Sequence, residues 1–433
     1  MDSLSERKHP RRPEIIIRPP GPAASRILQR DSQVVSQGGA RPYRFVMQDG
    51  YGCWARDVDG NIFLDFTSGI GALATGHRHP KIMEAIRSQQ EAFLHISSAH
   101  HTYDIMVTLA ERIGTSVGLD QPSRIFFSNS GTEAIEGATK LARWFTKRPY
   151  IISFFGAFHG RTYGSMSISA LNADHRKQVG PLLPGYFLPY PDVQRGITSK
   201  DVLARAEELF RHVVAPEEVA AILVEAVQGG AGPMSIADDE FLPLLRELAD
   251  KHKCLLIVDE IYTGVGRTGR MWGFQHSSIK PDIVCFAKSI SSGLPLGGFV
   301  AKAGVMEWPR GSHNSTYGGN PVSCAAAIAT LNVVDSTLID NAQRLGNYLL
   351  NELRKLAQKY PGLVTNVWGR GLMLYVALTS PEKAQRVLTL AFEKGLLLLA
   401  GGQQGFRLAP PLIIDEYDAR IGVELIDKVF EQI

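Results

Sequence analysis

A chain of 433 residues with 44% hydrophobic content can bury a large core, and lengths of this order divide into one large and one smaller domain or two comparable ones. A net charge of only +3, with acidic and basic residues interspersed, gives no reason to expect a polyanionic partner such as nucleic acid. No run approaches the roughly 18 apolar residues of a membrane span, and the polar start lacks a signal-peptide core, so a soluble, cytoplasmic protein without a membrane partner is expected.

In chain order, the Pro- and Arg-rich "RKHPRRPEIIIRPPGP" reads as an extended arm within residues 1–30; a nucleic-acid tail is the weaker alternative there. Then "GCWARDVDGNIFLDF" predicts a hairpin turned at Asp59 and Gly60. Short apolar runs that read as buried strands follow: "RIFFS", "YIISFF", "VAAILVEAV", "CLLIVDE", "DIVCFAK" and "GGFVA". Helical stretches such as "GTEAIEGATKLARWFTK" and "DDEFLPLLRELADKHK" alternate with them. This α/β order predicts a parallel-rich sheet covered by helices on both faces, with room for antiparallel exceptions. Towards the end, "AAAIATLNVV" and "NAQRLGNYLLNELRKLAQKY" read as helices, "GLMLYVAL" as a strand, and a last amphipathic helix closes the chain. The expected division is a large domain over 76–325 and a smaller α+β domain from 31–75 and 326–433. Cys53, Cys254, Cys285 and Cys324 lie far apart, and three of them sit in apolar stretches without His at ligand spacing. Buried free thiols are therefore expected, with no disulfide and no metal site.

Ligands of such sheets bind at the carboxyl ends of the strands. After "RIFFS", Gly131 and Thr132 open a helix whose N–H groups and hydroxyl suit a phosphate, although an ordinary helix cap has the same pattern. After "YIISFF" come Phe158, which can cover a flat ring or simply pack in the core, and His159 and Arg161; an arginine there can grip a carboxylate with paired hydrogen bonds. After "CLLIV" come Asp259 and Glu260. A carboxylate at the end of an apolar strand needs a partner, either a nearby arginine such as Arg267 or a ligand ring nitrogen that it keeps protonated. Lys288 follows the next strand. It is an ordinary solvated lysine, or it meets the same ligand from the opposite end. "GVGRTG", Gly264 to Gly269, matches a dinucleotide fingerprint, but a stretch of poor helical character follows it and no acidic residue stands on a next strand, which argues against a nicotinamide enzyme.

Together, "SNSGTEA", "FHGRT", "EAVQG", "IVDEIYTGVGRTGRMW", "FAKSISSGLPLGG", "STYGGNP" and "FRLAPPL" resemble, in order, the blocks of class III aminotransferases over roughly residues 40 to 430. These are ω-amino-acid pyridoxal-phosphate enzymes of the aspartate-aminotransferase-like fold (fold type I). The resemblance implies pyridoxal 5'-phosphate bound to Lys288 as a Schiff base and Asp259 paired to its pyridine nitrogen. Lys288, once released, would carry the proton between substrate carbon and cofactor, and the small residues after it would leave space for the cofactor. Gly131 and Thr132 correspond to the phosphate cup, Phe158 and Ile261 to the two faces of the ring, and His159, Glu225 and Tyr262 to further cofactor contacts. Thr316 corresponds to a threonine reaching the phosphate of the neighbouring subunit. This implies an obligate homodimer with composite sites, or a dimer of dimers built from it.

Arg161 and Arg407 resemble the family's carboxylate-binding arginines; taken alone, Arg407 reads as a surface residue before a proline turn. Where the family carries a glutamate that masks the second arginine, this chain has Gly230. Tyr262 stands where a glutamine is usual, and Ile70, a substrate-contact position, stands where ornithine enzymes carry tyrosine. The implied reaction moves an amino group from an ω-amino acid (4-aminobutyrate-like), amine or neutral amino acid to a 2-oxo acid. An amino-acid racemase or epimerase on the same scaffold is the alternative. A binding protein that merely kept the fold is disfavoured by Lys288 together with Asp259.

Overall fold

A computed structural model describes residues 11–433 apart from residues 40, 193, 194 and 231, so the first ten residues of the expected arm lie outside the described residues. The chain forms two compact units. One runs through Pro80 and resumes at Asp340–Ile433; the other is Lys81–Ile339. Among the described residues no single helix is long and apolar enough to cross a membrane.

The smaller unit begins with a correction to the sequence reading. Residues 22–30 of the expected extended arm belong instead to the helix Pro22–Val34. Its first turn is fixed from a distance: the Asp59 carboxylate accepts from Ala23 N at 2.7 Å and Ala24 N at 2.8 Å, satisfying donors that a helix start leaves open. The strands β1 (Met47–Tyr51), β2 (Trp54–Asp57) and β3 (Ile62–Asp65) form an antiparallel meander. The expected hairpin turn joins β2 to β3. Asp57 Oδ1 accepts from Asp59 N and Asn61 N, and Gly60 supplies the φ of 93° that the turn requires.

The larger unit carries the seven-stranded sheet of β4 (Ser123–Ser128), β5 (Tyr150–Phe154), β6 (Tyr186–Leu188), β7 (Val219–Glu225), β8 (Leu255–Asp259), β9 (Ile283–Phe286) and β10 (Gly297–Lys302), in the order β4-β10-β9-β8-β7-β5-β6. Only β10 runs antiparallel to its neighbours. The central strands are buried at every position, which is why they read as unbroken apolar runs. β6 has three residues, too few to show a period, and was not read from the sequence. The helix Gly131–Thr146 lays Ala134, Ile135, Ala138 and Leu141 against Ile151, Leu223, Ile257 and Phe299 of the sheet. The helix Pro321–Val333 lies whole in this unit, where Ala326 and Ala329 pack on Ile82, so the boundary falls after it rather than at 326.

The smaller unit resumes with β11 (Val364–Arg370), β12 (Met373–Leu378), β13 (Leu396–Leu397), β14 (Leu399–Ala400), β15 (Gly405–Leu408) and the helix Glu416–Phe430. β13 adds in parallel to β3, and β11-β12-β15-β14 make a second small sheet. All four cysteines are buried and free, as expected.

Candidate active site

Because β4, β5, β7, β8 and β9 are mutually parallel, the residues that follow them emerge on one edge of the sheet. At the end of β4, Ser130 caps the helix Gly131–Thr146, and Glu133 turns back to accept from Asn129 N at 2.8 Å and Ser130 Oγ at 2.9 Å. The N–H groups of Gly131 and Thr132 find no acceptor among the described residues and stand at the positive end of the helix. Gly131 is required by crowding: a Cβ there would lie 2.8 Å from Ile261 Cδ1. The Thr132 hydroxyl meets Thr162 Oγ1 at 2.7 Å and Ser165 Oγ at 2.6 Å, and Glu136 draws this cluster together by accepting from Thr162 Oγ1 and Gly164 N.

Glu225 and Asp259 are register partners at the ends of β7 and β8, so two buried carboxyl groups sit side by side. Asp259 Oδ2 lies 2.7 Å from His159 Nδ1, and Asp259 Oδ1 accepts from Ile261 N at 2.9 Å. His159 Nε2 lies 3.2 Å from Ser153 Oγ. One ring nitrogen thus faces Asp259 and the other Ser153. His159 therefore spends both ring nitrogens on the protein. It braces Asp259. The Glu225 carboxyl accepts from Phe158 N at 3.0 Å and Gly229 N at 3.4 Å. Burial pushes this group up to about 7; His159 opposes the shift and the Asp259 charge reinforces it. Glu260 points elsewhere, accepting from Thr263 Oγ1, Gly273 N and Phe274 N.

Lys288 begins a tight turn after β9 with φ 48°, and its Nζ stands 4.3 Å from the centroid of the Tyr262 ring. Tyr262 is buried, and behind it is Arg267, fully buried and lowered to about 10 by that burial, with Tyr262 acting in the opposite sense. No local signal identified Arg267 as buried. It sits inside "GVGRTG", where positive φ at Val265, Gly266 and Gly269 winds a loop that is followed by only a single 3-10 turn, Gly273–His276, and no α-helix. Two of the small residues after Lys288 are required by close packing: a Cβ on Gly297 would lie 2.6 Å from Ser130 O, and one on Gly298 2.3 Å from Phe126 O. These glycines let β10 close against β4. The Arg161 guanidinium lies 5.5 Å from the Phe158 ring centroid, and its Nη2 is 3.0 Å from His175 Nε2. Burial and the Arg161 charge lower the His175 pKa and keep that nitrogen an acceptor. Thr316 is exposed and belongs to a segment tied back by Ser315, whose Oγ accepts from Asn129 Nδ2.

In the smaller unit, Ile70 lies in a turn in which Ser68, Gly69, Ile70 and Gly71 all have positive φ, an unfavourable region for a β-branched side chain. Asp65 holds this turn by accepting from Thr67 N, Thr67 Oγ1 and Ser68 N, and its other oxygen meets His77. Arg407 is on β15 opposite Tyr375, 5% exposed, with Nε donating to Ala400 O at 3.0 Å; it is not a surface residue. Ser68 Oγ donates to Ala409 O, which ties the Ile70 turn to the strand of Arg407.

The larger unit thus presents a pair of N–H groups without acceptors, a braced carboxylate, a lysine beside an aromatic ring, and apolar residues at two strand ends. This donor set fits a flat phosphorylated heteroaromatic aldehyde, with its phosphate at Gly131 and Thr132 and its ring nitrogen at Asp259. Comparison with known proteins agrees. Residues 35–430 match the aminotransferase class-III family. The alanine/serine racemase of Pyrococcus horikoshii is 32% identical over 97% of this chain and 93% of its own. The 4-aminobutyrate aminotransferase GabT of Escherichia coli (strain K12) is 34% identical over 94% and 98%. A solved structure of Toxoplasma gondii ornithine aminotransferase, with pyridoxal phosphate at partial occupancy, superimposes with a TM-score of 0.84, 31% identity and 94% coverage of each chain. The chain belongs to the class III aminotransferases, and its cofactor is pyridoxal 5'-phosphate.

Proposed function

We propose that this enzyme transfers an amino group from an ω-amino acid of the 4-aminobutyrate kind, an amine or a neutral amino acid to a 2-oxo acid. Pyridoxal phosphate, when bound, supplies the electron sink for breaking a bond at the amino carbon. Lys288 would hold it through its side-chain amine and, when free, would carry a proton to and from the substrate carbon. Asp259 would keep the ring nitrogen protonated, and Phe158 and Ile261 would cover the ring. Gly131 and Thr132 hold the phosphate, together with Thr316 of a second copy of the chain in a homodimer. Arg161 and Arg407 receive substrate carboxylates. The observation that carries this reading is the bracing of Asp259, at the end of β8, by His159 and Ile261 N, next to β9, which Lys288 follows.

A second reading, racemisation of a small neutral amino acid, is favoured by the 32% identity with the alanine/serine racemase over nearly the whole chain. It differs in returning the proton to the same carbon. Incubating the holoenzyme with amino donors, with and without a 2-oxo acid, separates the two. Amino-group transfer that needs the acceptor supports the aminotransferase, and loss of optical activity without any acceptor supports the racemase. Dimerisation is read from sedimentation, and a monomer that retains full activity rules out the composite site.

A further inference from the structure

Gly230 has an ordinary backbone conformation, so its lack of a side chain is not a matter of φ. The reason is contact. A Cβ at this position would lie 2.5 Å from Phe158 Cβ and 3.2 Å from Phe158 Cγ. Those atoms sit at the root of the side chain and cannot swing aside as the tip of a flexible chain would. The same two turns are locked together elsewhere: Glu225 accepts from Phe158 N and Gly229 N, and Gln228 Nε2 donates to Phe155 O at 3.1 Å. Gln228 Oε1 also fills the space beside Gly156, where a Cβ would lie 2.8 Å away. With Arg161 over its ring, Phe158 is gripped at the backbone, at the Cβ and at the ring.

We infer that Gly230 is a positioning residue. By omitting a Cβ it lets Phe158 settle against the turn after β7, and so sets the depth at which the Phe158 ring meets the face of the cofactor. This rests on the reading of Phe158 as the aromatic that covers that ring. A side chain at 230 pushes Phe158 toward the space of the ring, so cofactor affinity falls before any substrate is present.

The test is a cycle of Gly230→Ala, Phe158→Gly and the double variant, measuring the dissociation constant of pyridoxal phosphate, the visible absorption band of the bound cofactor and the melting temperature of each cofactor-free protein. Gly230→Ala is expected to weaken cofactor binding about tenfold and to shift the band, as overpacking at a rigid contact does. Phe158→Gly also weakens binding, and in that background, where the colliding carbons are gone, Gly230→Ala costs nothing further in affinity or melting temperature. Wild-type affinity in Gly230→Ala, or an equal loss in both backgrounds, overturns the inference. Should Gly230→Ala fail to fold, a double variant that folds as Phe158→Gly does upholds the contact, and one that also fails overturns it. Wild-type affinity in Phe158→Gly sinks the reading of Phe158 itself, whatever Gly230→Ala does.

Discussion

His159 Nδ1 stands 2.7 Å from Asp259 Oδ2 with the imidazole wholly buried, so the carboxylate is oriented by a group that has no other freedom. Removing a hydrogen bond to a charged group is worth about 1.5–3 kcal/mol, or roughly ten- to a hundredfold in rate. His159→Leu should lower kcat by about that factor and alter the pH dependence of the bound cofactor's absorption, whereas a merely structural residue would lower stability and leave the spectrum alone. Asp259→Asn should cost more, about a thousandfold or roughly 4 kcal/mol, with cofactor still bound. Near-normal turnover in Asp259→Asn would remove the ring-nitrogen role.

Lys288→Ala should purify folded and bind cofactor without a covalent link. Borohydride treatment followed by mass measurement reads this directly: wild type gains the reduced cofactor and the variant does not. A modified Lys288→Ala chain at the wild-type level would move the anchor to another lysine.

Burial raises the Glu225 carboxyl from an ordinary 4.5 to about 7. Between those values the folded state holds a proton that the unfolded chain has released. The stability from this group is therefore complete below about pH 4.5 and is lost as pH rises to about 7. Glu260, likewise pushed up to about 7 by burial, acts in the same direction. Glu225→Gln should shrink, without abolishing, the fall in melting temperature between about pH 5 and about pH 8. An unchanged fall would show that Glu225 is ionised throughout.

Ile70 holds φ at 63° while 55% exposed, so it bears left-handed strain with little burial to offset it. Ile70→Gly should stabilise the protein by about 0.5–1 kcal/mol, read from denaturant midpoints, because relief of strain exceeds the entropy that glycine adds to the unfolded chain. A destabilised variant would mean that the Ile70 side chain packs against something that holds the turn.

The sequence by itself determined the parallel sheet, the hairpin at Gly60 and the strand-end positions of Asp259 and Lys288. Each follows from a local pattern: buried parallel strands are apolar throughout, and turns need particular residues. Tertiary structure alone decided what those residues touch. That Pro22–Val34 is a helix depends on Asp59, more than twenty residues beyond its end, and that Arg407 is buried depends on its neighbours in a four-stranded sheet. That His159 meets Asp259, and that Glu225 sits beside it, follows from strands far apart in the chain meeting in register. Gly230 shows the limit most plainly. The sequence says only that a carboxylate is missing there, whereas packing against Phe158, 72 residues away, shows what a side chain would meet, because hard-core repulsion acts between atoms close in space and leaves no trace in local sequence.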